Sequence, residues 1–586
     1  MAKTSTISFL PASVDEMHQR GWEQADIILV SGDAYIDHPS FGTAILARIA
    51  ERMGMRVAVL PQPNWRDDLR DFRKLGAPRL FFGVSAGSMD SMVNHYTALR
   101  RRRSDDAYTP GGRAGYRPDY ASVVYTRILK DIYPDVPVVL GGVEASMRRF
   151  THYDYWQDKV KPSVLAESGA DLLLYGMAEQ SWKMLIDLAG RGVPLNSLHN
   201  LPQSAFMAEG QKEIPAMKIT AEKEIPSHES CLQSKKSFAD AFRMIEEASN
   251  MMEPPRLIQS WGHKKIIVNP PVPPADEKVA DETWDLPFTR LPHPRYTKKP
   301  PIPAYEMIRY SVNIHRGCFG GCSFCAINMH QGKFVQSRSQ QSILNEVERV
   351  AQMPGFKGHI TDLGGPSANT YKMEGIDKDI CRKCKRPSCI YPSTCKNLNF
   401  DHHPLLELYE KASRISGVKK ITIGSGVRYD MLLGKTPQQG KNYALQPYIR
   451  KLLKHHVSGR LKVAPEHTSP HVLKLMRKPS FRGFEEFHKI FRDVCKKESL
   501  PWQLIPYFIS GHPGTLEQDM KDLSVVLNRL GYRPEQVQEF TPTPMTLATT
   551  MYYTGFDPYT GNKVAVTRGD LQKRRQKDYF FKRKSK

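Results

Sequence analysis

Short apolar runs alternate with amphipathic helical stretches over roughly the first 200 residues of the 586-residue chain. The run "ADIILVSGD" ends near a glycine, and the amphipathic stretch "FGTAILARIAERMG" follows it. Continuous Val, Ile and Leu runs separated by helices are typical of a parallel sheet that is covered on both faces. Residues 1–202 are therefore predicted to form a doubly wound, Rossmann-like α/β domain, with further strands in "RVAVLPQP", "RLFFGVSAGSMD", "VPVVLGGVEA" and "ADLLLYGMAEQ".

This alternation stops after residue 202. The stretches "NPPVPPADE" and "RLPHPRYTKKPPIPAY" are dense in proline and lack periodicity, which is typical of a long connecting segment. The stretch "KSFADAFRMIEEASNMM" has helical periodicity. Residues 203–303 are therefore predicted to be a Pro-rich connector with one helix.

Strand–helix alternation resumes over residues 304–550. The helix "SQQSILNEVERVAQM" has Ser339 or Ser342 as its candidate N-cap. Six parallel strands with intervening helices make three quarters of a (β/α) barrel, whose active site lies at the carboxyl ends of the strands. The six strands are predicted in "MIRYSVNI", "GHITDLGGPS", "KKITIGSGVRYD", "GRLKVAPEH", "WQLIPYFISGHPG" and "EQVQEFTPTP".

The formal net charge of +23 is concentrated in part near the C-terminus. Residues 551–586 include "RGDLQKRRQKDYFFKRKSK" and are predicted to be a basic C-terminal tail, and Arg100–Arg103 form a second basic block. Charge blocks of this kind are usually solvated surface or disordered tails. The alternative is an electrostatic footprint for RNA or another polyanion. Charge alone leaves both interpretations open.

The chain has no apolar run of the ~20 residues that a membrane span needs, so no membrane association is expected. The start "MAKTSTISFLPASVDEM" lacks the apolar core of a secretory signal. The nine cysteines are clustered rather than spread, which fits metal binding in a reducing compartment. We therefore expect a cytoplasmic protein.

Three cysteines, Cys318, Cys322 and Cys325, lie within the glycine-containing stretch "HRGCFGGCSFCAI". Three thiolates at this spacing can converge on a four-iron, four-sulfur cluster and leave one iron open for another ligand. Zinc is the alternative, but zinc sites combine two cysteine pairs, and this loop holds no second pair. The spacing favours the iron–sulfur cluster.

The pattern C-x-x-x-C-x-aromatic-C after a strand resembles the signature of the radical S-adenosylmethionine (SAM) superfamily. The resemblance implies that Cys318, Cys322 and Cys325 hold a [4Fe-4S] cluster and that Phe324 packs near the adenine of SAM. It also implies that SAM binds the open iron and is cleaved to a 5′-deoxyadenosyl radical. The cofactor then carries the radical chemistry, and the protein orients it and excludes water.

Further motifs of the superfamily follow in order between Ala304 and Thr550. "DLGGPS" resembles the glycine pair that faces the methionine ammonium, and "GSGVRYD" resembles a strand end that reaches the cofactor's carboxylate or ribose. "APEHTSPHVLKLMRKP" and "YFISGHPGTLEQDM" resemble the fifth- and sixth-strand motifs of the methylthiotransferase-like branch. The SAM-binding residues implied by these motifs are Gly364, Gly365, Ser425, Arg428, Glu466, Gly511, Pro513 and Gly514.

Over its whole length the chain resembles the YgiQ family of radical SAM proteins. The resemblance implies an electron donor such as flavodoxin or ferredoxin, and it leaves the substrate open. The similarity to the methylthiotransferase-like branch and the positive charge favour RNA or a protein side chain as substrate. The alternative hypothesis is an RNA-binding protein whose cluster is structural or redox-sensing. Pocket motifs on several strands favour the enzyme, because a structural cluster needs none of them.

Four more cysteines, Cys381, Cys384, Cys389 and Cys395, lie in "CRKCKRPSCIYPSTC". A complete set of four thiolates can hold a structural zinc ion or a second iron–sulfur cluster, and free thiols are the third interpretation. Cys231 and Cys495 are interpreted as apolar fillers.

The N-terminal sheet also resembles the cobalamin-binding domains that precede many radical enzymes. Their D-x-H-x-x-G motif is missing after the first strand, because Asp37, His38 and Gly42 in "YIDHPSFG" have the wrong spacing. We therefore expect a cobalamin-binding-like fold without cobalamin.

Overall fold

The computed structural model describes residues 8–209, 221–433, 445–532 and 537–581. The chain divides into two compact units. The first unit comprises residues 1–241, 253–273 and 282–309, and the second comprises 242–252, 274–281 and 310–586. Within the described ranges, every helix is too short or too polar to cross a lipid bilayer.

A nine-stranded sheet forms the core of the first unit, with the strand order β2-β1-β3-β4-β7-β8-β11-β10-β9. The five strands predicted from the apolar runs are all present, and they pair in parallel from β2 to β7. The strands of the sheet are β1 Ile27–Ser31, β2 Val57–Pro61, β3 Phe81–Ser85, β4 Val138–Gly141, β7 Leu172–Leu174, β8 Ser204–Glu209, β9 Glu222–Ile225, β10 Arg256–Trp261 and β11 Lys264–Val268. A separate two-stranded hairpin joins β5 His152–Asp154 and β6 Lys159–Lys161.

The predicted connector is wrong at four segments, because Ser204–Glu209, Glu222–Ile225, Arg256–Trp261 and Lys264–Val268 extend this sheet as β8 to β11. These strands are hard to recognise in the sequence. The first three residues of β9 are exposed, and β11 begins with two lysines. Polar strands of this kind suit the edge region of a sheet, where one side or one end meets solvent. The single predicted helix is present as Lys235–Ser249.

Helices cover the sheet because their apolar faces need burial. The predicted helix after β1, Gly42–Arg52, buries its alanine and isoleucine side chains. The helices up to residue 309 are α1 Val14–Gln19, α2 Gly42–Arg52, α3 Arg70–Arg73, α4 Ser91–His95, α5 Ala121–Ile132, α6 Gly142–Ser146, α7 Val164–Ser168, α8 Glu179–Gly190, α9 His228–Gln233, α10 Lys235–Ser249, α11 Glu277–Trp284 and α12 Pro303–Ile308.

The second unit contains all six predicted strands. They form four parallel pairs: β12 with β16, β15 with β17, β18 with β19, and β19 with β20. A short antiparallel pair, β13 with β14, flanks the first cysteine loop. The strands are β12 Ser311–Asn313, β13 His315–Arg316, β14 Gln336–Ser337, β15 His359–Ile360, β16 Asp362–Gly364, β17 Lys420–Ile421, β18 Arg460–Glu466, β19 Gln503–Ser510 and β20 Gln538–Glu539.

Helices alternate with these strands, as predicted. Ser339 is the N-cap of α14, since its side chain accepts the N–H of Ser342. The helices are α13 Ala326–Gln331, α14 Gln340–Ala351, α15 Lys378–Arg382, α16 His403–Ser413, α17 Leu445–Lys451, α18 Pro470–Met476, α19 Phe481–Lys497, α20 Glu517–Arg529, α21 Leu547–Thr554 and α22 Asp570–Asp578.

An ion pair within the second unit joins segments that are distant in sequence. Both guanidinium nitrogens of Arg477 donate to the carboxylate of Glu246, at 2.7 and 3.0 Å. The hydroxyl of Tyr559 donates to the same carboxylate. Both charged side chains are buried, so each depends on the other for compensation of its charge.

The interpretation of residues 551–586 as a solvated, disordered tail is wrong for residues 551–581. Helix α22 buries Lys573 and Gln576, and the ring of Phe580 lies 6.0 Å from that of Phe508 in β19. The amide of Gln576 donates to the carbonyl of Thr515 at 3.3 Å. The run of basic residues led to the prediction of a tail, because it outweighs the few apolar residues that make this contact. Residues 582–586 lie outside the described residues.

The contact of Phe580 gives a test of this folded C-terminal segment. We expect Phe580→Ala to lower the free energy of unfolding by about 3 kcal/mol, because it leaves a cavity against buried Phe508. The neighbouring Phe581 is 51% exposed, so Phe581→Ala is the matched control. It should change the free energy of unfolding by less than ~0.5 kcal/mol. Urea unfolding of both variants measures the difference. Equal midpoints for the two would contradict the packing.

Candidate metal centre and cofactor site

The first cysteine loop follows β13 and is held at both ends by backbone hydrogen bonds. The N–H of Cys318 donates to the carbonyl of Gly332 at 3.1 Å, and that of Cys325 donates to the carbonyl of Cys322 at 3.2 Å. Gly317 has φ +83°, and a Cβ there would lie 2.2 Å from the carbonyl oxygen of Phe334. The glycine is therefore required by both the backbone conformation and the close approach.

The three thiols of this loop are half-buried and act on one another electrostatically. Burial, together with the thiols of Cys322 and Cys318, raises the pKa of Cys325 to about 12. Such a thiol becomes a thiolate at neutral pH only when a metal replaces its proton. Three sulfur donors on one curled loop fit a [4Fe-4S] cluster with one open iron.

Arg428 lies directly against this loop. A Cβ on Gly320 would be 2.3 Å from its Nη1 and 3.3 Å from the Cys318 sulfur. Its Nη2 donates to Asp430 at 2.6 Å, and both side chains are nearly buried. Burial disfavours the Arg428 cation, but Asp430 and the thiols of Cys322 and Cys318 outweigh that effect and raise its pKa. Arg428 is thus placed to compensate negative charge on a thiolate-bound cluster.

Glu466 ends strand β18 on the same side of the site. It is buried and has φ +69°, a left-handed conformation that is uncommon for a non-glycine residue. Lys478 Nζ lies 3.9 Å from its carboxylate. Burial raises the pKa of Glu466, and the charges of Lys478 and Arg428 act in the opposite direction. The predicted ribose ligand is therefore a buried carboxyl near the cysteine loop and two cations.

The predicted glycine pair lies at the end of β16. A Cβ on Gly364 would be 2.8 Å from Ser425 Oγ, and one on Gly365 would be 2.6 Å from the ring of His315. The hydroxyl of Ser425 donates to Asp362, which also accepts the N–H of Gly424 at 2.9 Å. Asp362 therefore ties the end of β16 to the segment after β17, and Gly364 lies against Ser425.

Phe324 contacts the predicted sixth-strand turn through His512. The two rings are 5.9 Å apart and nearly perpendicular, and His512 Nε2 lies 3.2 Å from Ser323 Oγ. Burial lowers the pKa of His512 to about 3, so the ring is neutral.

The glycines of that turn have neighbours in the protein. A Cβ on Gly514 would lie 2.2 Å from Leu475 Cδ1, and the Gly514 N–H donates to the carbonyl of Ala565 at 2.7 Å. Gly511 has φ +72° and faces Gln576, and Pro513 accepts a hydrogen bond from His512. These contacts explain why the turn needs its glycines, whether or not it also faces adenine.

Sequence reasoning missed four polar residues of this site: Asp362, Asp430, Lys478 and His512. All four stood inside quoted motifs: Asp362 begins "DLGGPS", Asp430 ends "GSGVRYD", Lys478 lies in "APEHTSPHVLKLMRKP" and His512 lies in "YFISGHPG". A charged residue two positions from a buried arginine is a signal for an ion pair. Lys478 carries no such local signal.

Comparison with protein families divides the chain into three matched ranges. Residues 9–311 match the model described as Radical SAM N-terminal, and residues 312–524 match the Radical SAM superfamily. Residues 535–584 match a domain of unknown function, DUF3362. The last match covers the C-terminal segment that the structure shows to be folded.

Similar proteins extend over nearly the whole chain. A UPF0313 protein of Bacteroides thetaiotaomicron is 55% identical over 98% of this chain and 94% of its own length. A UPF0313 protein of Porphyromonas gingivalis is 55% identical over 99% and 91%. One of Geobacter sulfurreducens is 46% identical over 97% and 92%.

Solved structures show more distant similarity. The radical SAM methyltransferase TsrM of Kitasatospora setae, with cobalamin and a [4Fe-4S] cluster bound, aligns over 95% of this chain and 91% of its own, with 14% identity and a TM-score of 0.48. The cobalamin-dependent radical enzyme OxsB aligns over 87% and 53%, with 10% identity and a TM-score of 0.48. At these values neither structure bears on the cofactors of this chain.

The Arg428–Asp430 pair allows charge at the cysteine loop to be separated from stability. Arg428→Met leaves Asp430 buried and unpaired, so we expect a loss of about 3 kcal/mol in the free energy of unfolding. The double variant Arg428→Met/Asp430→Leu should recover most of that loss. With a cluster bound, both variants should show a more negative reduction potential, measured by a redox titration followed by EPR. An unchanged potential in the double variant would contradict the proposed position of Arg428.

Proposed function

Because the chain belongs to the UPF0313 family of radical SAM proteins, we propose that it binds one [4Fe-4S] cluster through Cys318, Cys322 and Cys325 and SAM at the neighbouring strand ends, and that it modifies an RNA or protein substrate. The resemblance to the YgiQ family and the predicted fold class are confirmed by the matches and the strand order. The chain is a radical SAM enzyme.

The observation that supports this site best is the charge arrangement around the cysteine loop. Arg428 lies beside Gly320 and Cys318, and the buried carboxyl of Glu466 lies near Cys325 and Lys478. A structural cluster needs neither a buried arginine nor a buried acid at its open side. Both are suited to a cofactor with an amino acid end and a ribose.

When bound, the cluster and SAM supply a 5′-deoxyadenosyl radical that abstracts hydrogen from the substrate. We infer separate roles for the residues of this chain. Arg428 compensates negative charge, Glu466 accepts hydroxyl hydrogen bonds from the ribose, and Asp362 positions Ser425 and the adjacent backbone. The turn Gly511–Gly514 and Phe324 exclude water from one side.

An external reductant has to deliver the electron, and we propose a small acidic redox protein such as flavodoxin or ferredoxin. The support is a basic surface next to the cysteine loops, where Lys383, Lys385 and Lys396 are exposed. Complementary charge increases the association rate of such partners.

The preference for RNA is weaker than the net charge suggests, because one basic residue of the C-terminal segment is buried and the segment is folded. Arg574 and Arg575 on α22 remain exposed. RNA and a protein side chain are therefore both proposed as substrates, and RNA binding would need the exposed Arg574 and Arg575.

We also propose that the first unit works without cobalamin. The support is the crowded switch point between β1 and β3, where the buried guanidinium of Arg117 donates to Asp33 at 2.9 Å and to the carbonyl of Ala86 at 2.7 Å. Ligands of doubly wound sheets bind at such a switch point. His38 is buried, and its Nδ1 accepts the N–H of Ser40 at 3.0 Å.

Replacing Cys318, Cys322 and Cys325 together by Ala tests the cluster assignment. We expect this variant to form no detectable 5′-deoxyadenosine from SAM and dithionite, because the open iron is lost. The matched control is Cys495→Ser, which removes a buried thiol on α19 and should leave product formation at the wild-type level. Anaerobic reconstitution followed by chromatography measures the product. Continued cleavage in the triple variant would refute the proposed function.

RNA binding through α22 is tested by the variant Arg574→Gln/Arg575→Gln. If both arginines contact phosphates, the log–log dependence of affinity on salt should become shallower by about 1.4, at about 0.7 per contact on single strands. The weakening should be equal for all sequences, because phosphate contacts carry no sequence information. Lys496→Gln/Lys497→Gln on α19 removes the same charge elsewhere and serves as control in filter binding. Equal slopes for all three proteins would favour a protein substrate.

A further inference from the structure

The four remaining clustered cysteines lie directly on the first cysteine loop. The N–H of Cys389 donates to the carbonyl of Phe319 at 3.0 Å, and Phe319 packs in one apolar cluster with Cys389 and Cys395. A Cβ on Gly321 would lie 2.1 Å from the carbonyl oxygen of Pro387. The two loops are therefore in backbone contact, and Gly321 permits it.

Local hydrogen bonds curl the second loop around its sulfur atoms. The N–H of Cys384 donates to the carbonyl oxygen of Cys381 at 3.2 Å, and that of Cys395 donates to the carbonyl oxygen of Cys389 at 2.7 Å. The amide of Asn397 donates to the sulfur of Cys381 at 3.4 Å. Hydrogen bonds to sulfur are typical of thiolates bound to metal.

Each of these thiols lies within electrostatic reach of others in the set. The thiol of Cys389 interacts electrostatically with the ammonium of Lys333 and with the thiols of Cys395, Cys384 and Cys381.

Lys333 provides the independent observation. Its side chain is only 2% exposed, and its ammonium donates to the sulfur of Cys384 at 3.5 Å and to the carbonyl of Arg386 at 2.7 Å. In the described part of the chain it makes no ion pair with a carboxylate. A buried cation without an anion is costly. A set of metal-bound thiolates supplies the missing negative charge. The buried ammonium and the buried thiolates then compensate each other's charge.

A set of four thiolates can hold a zinc ion or a [4Fe-4S] cluster. The backbone contacts of Cys389 with Phe319 and of Pro387 with Gly321 place this set against the first cysteine loop. This adjacency favours the cluster, because a second redox centre at that place can exchange electrons with the first and a zinc ion cannot.

We propose that Cys381, Cys384, Cys389 and Cys395 hold a second [4Fe-4S] cluster, charge-compensated by the buried ammonium of Lys333 and packed against the loop of the first. All four of its irons have protein ligands, so it does not bind SAM. This site goes beyond the proposed function and does not depend on the identity of the substrate.

The test is the metal content of cysteine variants after anaerobic reconstitution with ferrous iron and sulfide. The wild type should hold about eight iron and eight sulfide per chain, and replacing Cys381, Cys384, Cys389 and Cys395 by Ser should halve both. The triple variant of Cys318, Cys322 and Cys325 should also keep half, and Cys495→Ser should keep all. About four irons in the wild type, none of them lost in the quadruple variant, would overturn the proposal. So would one zinc per chain that only the quadruple variant loses.

A second measurement does not depend on the folding of the quadruple variant. The dithionite-reduced triple variant keeps the second cysteine set intact, and it should show an EPR signal of a reduced cluster that added SAM leaves unchanged. Absence of that signal, or a shift with SAM, overturns the second cluster. A failure of the proposed function alone gives a different pattern, since the quadruple variant then loses all of its iron.

Discussion

Close backbone approach at the first cysteine loop is the constraint on which the second unit depends. Gly317, Gly320 and Gly321 each stand where a Cβ would lie within about 2.3 Å of another group, namely Phe334, Arg428 and Pro387. At Gly317 and Gly321 the neighbouring atom is a backbone carbonyl oxygen, and both residues have positive φ, so these two positions require glycine. At Gly320 the neighbour is the guanidinium of Arg428, so a side chain there would displace the cation from the loop. The loop is therefore enclosed by the backbone before β14, by a buried arginine and by the second cysteine loop.

The carboxyl ends of the strands complete that site in a way that parallel folds favour. Glu466 ends β18, Gly364 ends β16, and Arg428 follows β17, so residues from three strands converge beside the cysteine loop. Glu466 forms an ion pair with Lys478, and Arg428 forms one with Asp430. A site built this way can be polar and buried at once, because each charge has a partner close by.

The sequence predicted some of this arrangement well and other parts poorly, for identifiable physical reasons. The buried parallel strands were recognised because both faces are covered and the apolar runs are continuous. Strands β8 to β11 were missed because their polar residues break the runs, and α22 was taken for a tail because its basic face outweighs Tyr579 and Phe580. The assignment of Cys318, Cys322 and Cys325 as cluster ligands rests on their spacing and on the family resemblance, and it stays a prediction. Lys333 and Lys478 could not be predicted as partners of the site, because only the folded chain brings them to it.

The pairing of Glu246 with Arg477 has a consequence for dividing the protein into pieces. Glu246 belongs to the second unit although it precedes Tyr310 by more than sixty positions in the printed sequence. A recombinant fragment that begins at the apparent boundary before residue 304 would carry Arg477 and Tyr559 without their carboxylate. Leaving such a cation buried and unpaired costs about 3–5 kcal/mol, which is a large part of the stability of an ordinary domain. The catalytic half of this enzyme is therefore not a contiguous stretch of its gene, and a cut at the sequence boundary does not release it intact.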